Sequence, residues 1–319
     1  MRDAGVIRMV HQLRGASRAA WRGSWRFVCM GTAFVSAAGV SCASSPPASL
    51  YAGTTSEEAS TADARPPQTA GELSTRYARG ERNFDGISLA SAALRRIKLI
   101  ATSLRGAQLR EADLQGAELT GSDLSQADMK KARLAYAYLA EATLHEADLR
   151  GADLRETVLS AADLSSARLD RARLDRANLQ NADLSGARLN SVSLREAACG
   201  MAVLRNADLS DAELSAVELF DADLDHANLS GANLTRANFG RAHLRGADLS
   251  GALLCRASFP GADFTDAVLK GARVGPMTEF PKDFDPLAAG ARTDPCCAQK
   301  DYVKACAEAS TDSEEAPGG

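Results

Sequence analysis

The chain has 319 residues, a formal net charge of −4 and 45% hydrophobic but only 5% aromatic content. That balance excludes a strongly basic nucleic-acid binder and a uniformly acidic one, so no direct nucleic-acid binding is expected. The length would suit two ordinary domains, yet few aromatics and an excess of Ala and Leu fit a single solenoid with a narrow core.

Residues 1–41 read as a signal peptide. "MRDAGVIRMVHQLRGASRAAWRGSWR" carries six arginines and no lysine, and Phe27 to Val40 follow as an apolar run of fourteen residues. Such a run is too short to cross a bilayer. Met9 offers an alternative start that still leaves arginines before it. The next stretch, "GVSCASSPPAS", resembles a bacterial lipoprotein cleavage site, with Gly39 standing where that pattern usually has leucine. The resemblance implies that Cys42 becomes the lipidated first residue of the mature chain; cleavage after Ala43 and an uncleaved apolar segment are the alternatives. Residues 42–74, rich in Ser, Thr, Ala, Pro and Glu, read as a disordered linker, and 75–81 as the only candidate N-terminal cover for the periodic region that begins beside them.

From Phe84 to Val274 an apolar residue recurs every five positions without insertion or deletion. It is leucine except at Phe84, Met129, Cys199, Phe239, Phe259, Phe264 and Val274, and alanine usually stands two places before it. A helix wants a period near 3.6 and a strand a period of 2, so neither explains this spacing. A chain that turns a corner every five residues does: one large and one small side chain point inward on each side of a square coil, and twenty residues close it. Stacking at ~4.8 Å lets the backbone groups of successive coils pair.

The A-(D/N)-L-x-x pattern, as in "ANLSGANLTRANF" (Ala227 to Phe239), resembles the pentapeptide-repeat family over residues 82–276. The resemblance implies an all-β fold, a right-handed quadrilateral β-helix of about ten coils. It also supplies a functional contrast, because some members are similar to B-DNA in shape and charge and protect DNA gyrase.

The period breaks at "GPMTEFPKDFDPLAAGAR", so 277–292 is the expected C-terminal cap, with Phe280 and Phe284 as the plug over the last coil. Residues 293–319 read as a cysteine-containing flexible tail. Cys199 takes a leucine's place and is expected buried and inert. Cys255, just after a repeat centre, is expected to point outward; with Cys296, Cys297 and Cys306 it allows two disulfides of open connectivity, or a three-thiolate metal site.

No catalytic constellation, phosphate-binding glycine loop or cofactor motif is present in the sequence, so the chain is read as a non-enzyme without metal or cofactor. His145, His226 and His243 share one outward side, where His226 and His243 could approach each other. That side is mainly acidic, with Asp123, Asp163, Asp183, Asp223 and Asp263 against Arg105, Arg205 and Arg245. Another side stacks Asp113, Arg133, Asp153 and Arg173, and beside them Glu156, Arg176 and Glu196, as expected ion-pair ladders. The least charged side displays Tyr138, Val158, Met201 and Phe220, the candidate binding strip.

The resulting expectation is a membrane-tethered, protein-binding rod in a bacterial cell envelope. A cytoplasmic DNA mimic acting on gyrase is the runner-up. A self-assembling element is the third reading, because the N-terminal coil has no clear cover.

Overall fold

A computed structural model describes residues 66–298. The first element, α1 (Ala70–Ala78), is entered through Thr69, whose hydroxyl accepts the Glu72 N–H at 3.2 Å. Glu72 in turn accepts the Gln68 N–H at 2.7 Å, a reciprocal arrangement that occupies the donors at the helix start. Leu73 and Tyr77 lie one turn apart on one face; Leu73 is fully buried and Tyr77 packs half-buried against the core. Arg76 reaches over the Phe84 ring at 5.9 Å and bonds Glu81 at 2.6 Å, and Arg82 lies over Tyr77 at 3.9 Å. The N-terminal coil is therefore covered, by a helix that begins before residue 75, and the expected open end does not exist. The helix also adds an element the all-β reading lacked.

From Asn83 to Leu253 every unit bridges in parallel to the residue twenty positions later, as in Asn83↔Ser103, Ser103↔Asp123 and Asp123↔Thr143, and the register shifts only at the cap, where Ser258 meets Glu279. One unit shows where the backbone groups go. Leu104 N–H donates to Asp123 O at 2.7 Å, Gly106 N–H to Ser125 O at 2.9 Å, and Gln108 N–H to Ile87 O at 2.7 Å. Ala107 N–H closes a β-turn onto Leu104 O at 3.1 Å. The remaining donor, just after the central residue, goes to a side chain: Arg105 N–H reaches Asp85 Oδ1 of the preceding coil at 3.0 Å. In units with an Asp or Asn before the centre it stays in its own turn, as where Asp123 Oδ1 accepts Ser125 N–H at 2.9 Å and Asn178 Oδ1 accepts Gln180 N–H at 3.1 Å. An Asp or Asn before the leucine thus completes the hydrogen bonding of its own turn, which is the physical reason for that position in the repeat.

The third residue of each turn is left-handed, including side-chain-bearing ones such as Tyr136 (φ 64) and Met201 (φ 58). That conformation costs roughly 1 kcal/mol or more at a residue with a Cβ. Pairing with the coils above and below offsets it.

The leucine and alanine columns are buried along the repeat, save Ala92 and Ala267 near its ends, which are half-buried. Where a polar residue replaces alanine it bonds the backbone instead of water: Ser122 Oγ donates to Leu99 O at 2.6 Å, Thr102 Oγ1 to Ile100 O at 3.2 Å, and the Thr157 hydroxyl to Leu154 O.

At the far end, strand β1 (Arg273–Val274) pairs in parallel with β2 (Arg292–Thr293), which extends the ladder through the cap. Phe280 stacks on Phe259 at 5.2 Å, Phe259 on Phe239 at 4.9 Å, and Phe284 on Phe264 at 4.5 Å. The aromatic column of the last coils continues into the closing segment and removes their apolar edges from water. Closure extends beyond Arg292: Asp294 N–H donates to Val274 O at 2.8 Å, and Cys297 forms a disulfide with Cys255. Residues 293–298 therefore belong to the cap and not to a flexible tail. Cys255 is fully buried rather than outward-facing, because Cys297 covers it. Gly275 is required at that crossing, since a Cβ there would lie 2.2 Å from Cys297 Cβ.

Candidate functional site

The least charged side of the coil is built from the positions just before, just after and two after the centres Leu119, Leu139, Leu159 and Leu179 to Leu219. Tyr138 bridges directly to Val158, so these two side chains stack in one column. Met201 N–H donates to Phe220 O at 2.9 Å, and the far end of the Phe220 ring rests on Gly200, where a Cβ would come within 2.3 Å of its Cζ. Gly200 thus makes the seat for Phe220, and Phe220 is half-buried instead of freely displayed. The strip resolves into two pairs, Tyr138 with Val158 and Met201 with Phe220, with the coil of Asn178 and Gln180 between them.

Tyr136 was not singled out from sequence, yet at 58% it is more exposed than Tyr138 at 53% or Met201 at 47%. It occupies the corner before Tyr138, and Ala137 between them is buried. The signal available was an aromatic residue at the left-handed turn position, which always projects from a corner.

The charged sides differ from simple ladders. Arg133 pairs with Asp113 at 3.4 Å and Arg176 with Glu196 at 2.9 Å across coils. Asp153, however, is taken by Arg155 of its own turn at 2.6 Å, and Arg173 turns to Asp175 at 3.9 Å. The Asx turn brings the residue after the centre beside the residue before it, so a cation there competes with the coil above. On the acidic side each arginine is likewise engaged: Arg105 with Asp123 at 3.6 Å, Arg205 with Asp223, and Arg245 with Asp263 at 3.9 Å.

The histidines do not come together. His226 lies against Gly246, whereas His243 sits beside Asp223 and Asp225 with ligand atoms within 4.8 Å of one another. Those carboxylates already accept from Arg205 and from the Arg245 N–H. Cys199 is sealed in the leucine column, and burial pushes its thiol up to about 12. The disulfide removes Cys255 and Cys297 from the three-thiolate alternative. Cys296 falls in a 3-10 turn (Pro295–Ala298), and Cys42 and Cys306 lie outside the described residues, as does the leader. Among the described residues no helix is long and apolar enough to cross a membrane.

The family model for pentapeptide repeats matches in eight overlapping copies that together run from residue 92 to residue 271. The chain belongs to the pentapeptide-repeat family. Pentapeptide-repeat proteins fold as right-handed quadrilateral β-helices, and the parallel register of twenty residues is that architecture. Among solved structures, this pentapeptide-repeat chain is similar to HetL, involved in heterocyst differentiation regulation in the cyanobacterium Nostoc sp. strain PCC 7120. The two share 39% identity over 64% of this chain and 94% of HetL, with a TM-score of 0.30. A pentapeptide-repeat protein of the Arabidopsis thaliana thylakoid lumen shares 33% identity over 30% of this chain and 70% of its own, with a TM-score of 0.26. QnrB1, a plasmid-mediated fluoroquinolone resistance protein, shares 20% identity over 73% of this chain and 99% of its own, with a TM-score of 0.29. No curated protein matches the chain.

Proposed function

We propose that the chain is a non-catalytic, protein-binding rod outside the cytoplasm, tethered to a membrane through lipidated Cys42 and docking its partner along the strip of Tyr138, Val158, Met201 and Phe220. The observation that carries the reading is the Cys255–Cys297 disulfide, which ties the cap to the rod. Such bonds form and persist in oxidising compartments and are rare in the cytosol. Both ends are covered, by α1 and by the Phe280 and Phe284 cap, which favours a lateral face over end-to-end assembly. A DNA-like surface would need regular unpaired negative charge; here the arginines of the acidic side are paired with its aspartates.

Fractionation of cells expressing the full chain tests the reading together with mass spectrometry of non-reduced peptides. The expected result is membrane-associated protein carrying the Cys255–Cys297 cross-link, released to the soluble envelope fraction by Cys42→Ala without change in its circular dichroism. Reduced, cytoplasmic protein would overturn it. Replacing both Tyr138 and Phe220 with Ser should abolish partner co-purification while the rod stays folded. Retention of the partner would move the docking face elsewhere.

A further inference from the structure

One column of the outer surface differs from all the others. Immediately after the centres Leu109, Met129 and Leu149 stand Arg110, Lys130 and Arg150, the only place in the repeat where three successive coils carry a cation in the same column. Like charges stacked directly over one another at the ~4.8 Å inter-coil spacing oppose pairing, so the arrangement needs compensation. Part of it comes from the neighbouring column. Lys130 Nζ sits between Asp128 Oδ2 at 3.2 Å and Asp148 Oδ2 at 3.1 Å, and Arg150 clasps Asp148 through Nε and Nη2, both at 2.8 Å. Arg110 approaches Asp128 at 3.9 Å, and Arg168 approaches Asp148 at 3.7 Å.

Compensation is incomplete. Arg110, Glu111, Lys130, Lys131 and Arg150 line an open cleft of about 410 Å³, within the ~300–1,000 Å³ range of small-ligand sites. The lining itself holds four cations (Arg110, Lys130, Lys131 and Arg150) and one carboxylate (Glu111), while Asp128, Asp148 and Asp170 act on those cations from beside it. The excess in the lining is positive on a chain whose overall charge is −4. Lys131 makes no ion pair among the described residues, and Gly151 in the next coil leaves the space above it open, with Lys131 Cγ the only atom near the place of a Cβ, at 3.7 Å. Asp128 and Asp148 stand in the neighbouring column, beside the lining rather than in it, with side-chain exposures of 24% and 15%.

We propose that this cleft binds a phosphate-bearing ligand, with Arg110, Lys130, Lys131 and Arg150 as its cationic walls. The neighbouring carboxylates of Asp128 and Asp148 hold Lys130 and Arg150 in place before any ligand arrives, so little side-chain freedom is lost on binding. A phosphate offers several charged oxygens in a tetrahedral array and can span cations of adjacent coils, whereas a carboxylate matches one guanidinium fork in one plane. Glu111 is the one acid in the lining.

The test is calorimetric titration of the full chain with inorganic phosphate and with pyrophosphate, and co-sedimentation with vesicles of phosphatidylglycerol or of phosphatidylcholine alone. The expected result is binding of pyrophosphate, or of phosphatidylglycerol vesicles over phosphatidylcholine. It should weaken about tenfold or more in the double variant Arg110→Glu, Lys131→Glu, the scale of a lost charge-assisted bond. A double variant of equal charge change on other sides, Arg176→Glu with Arg241→Glu, should bind as the parent does, with unchanged circular dichroism in both. Binding of soluble pyrophosphate identifies a free phosphate compound as the ligand, and binding of vesicles alone identifies a headgroup. No binding of either probe, or equal losses in the two double variants, would overturn the proposal.

Discussion

Leu179→Asp should break the rod where Gln180→Asp leaves it intact, although the two positions are adjacent. Leu179 is 0% exposed and stands in its column between Leu159 and Cys199. Losing a buried leucine forfeits ~1.5–3 kcal/mol, and an unpaired carboxylate in its place adds a desolvation penalty of several kcal/mol. The sum, about 5–8 kcal/mol, is comparable with the ~5–15 kcal/mol that holds a whole domain. Gln180 points outward and is engaged through its backbone alone, its N–H with Asn178 Oδ1 at 3.1 Å and its O with the Ala161 N–H at 2.9 Å, so its replacement should stay within about 0.5 kcal/mol. Because each coil touches only its neighbours, the damage should also be local, exposing the chain near residue 179 first. Urea unfolding at neutral pH followed by circular dichroism measures the loss, and limited proteolysis maps it. A Leu179→Asp variant within about 1 kcal/mol of the parent, or a Gln180→Asp variant equally destabilised, would refute the inward and outward assignment.

The Cys199 thiol, pushed up to about 12 by burial, should stay protonated and resist alkylation at pH 8 until the coil opens; its labelling rate should therefore follow unfolding across a urea series, and rapid labelling of folded protein would contradict the sealed core. Burial by itself would raise the Asp148 carboxyl, but hydrogen bonds from Arg150 and Lys130 and the charge of Arg150 outweigh it and hold the group at about 2, below the ordinary 3.8. Its stabilisation should be fully present above about pH 4 and be lost as the pH falls towards 2. Asp148→Asn should flatten that acid limb, measured as melting temperature against pH, and an unchanged limb would show that these contacts do not act on stability.

The five-residue period determined the inward columns by itself, because each unit solves the same local problem: a buried leucine, a close-packed alanine, and an Asp or Asn whose oxygen serves its own turn. Periodic sequence carries that information at every copy. Where the period stops, the sequence no longer said how the chain is covered. That α1 lays Leu73 and Tyr77 on the first coil depends on an apolar surface the repeat creates only once it has stacked. Cys255 looked exposed by its place in the unit, and only the returning cap, which sets Cys297 against it 42 residues later, buries it. The outer surface divides in the same way. Which side chains point outward was legible, but their partners were not, since an arginine can reach the carboxylate of its own turn, as Arg155 does with Asp153, or one of the next coil, as Arg95 does with Asp113. Distances between those choices differ by less than the length of the side chain, so tertiary packing selects among them. Phe220 rests on Gly200 for the same reason: the seat is twenty residues away in sequence and in contact only after the coils stack.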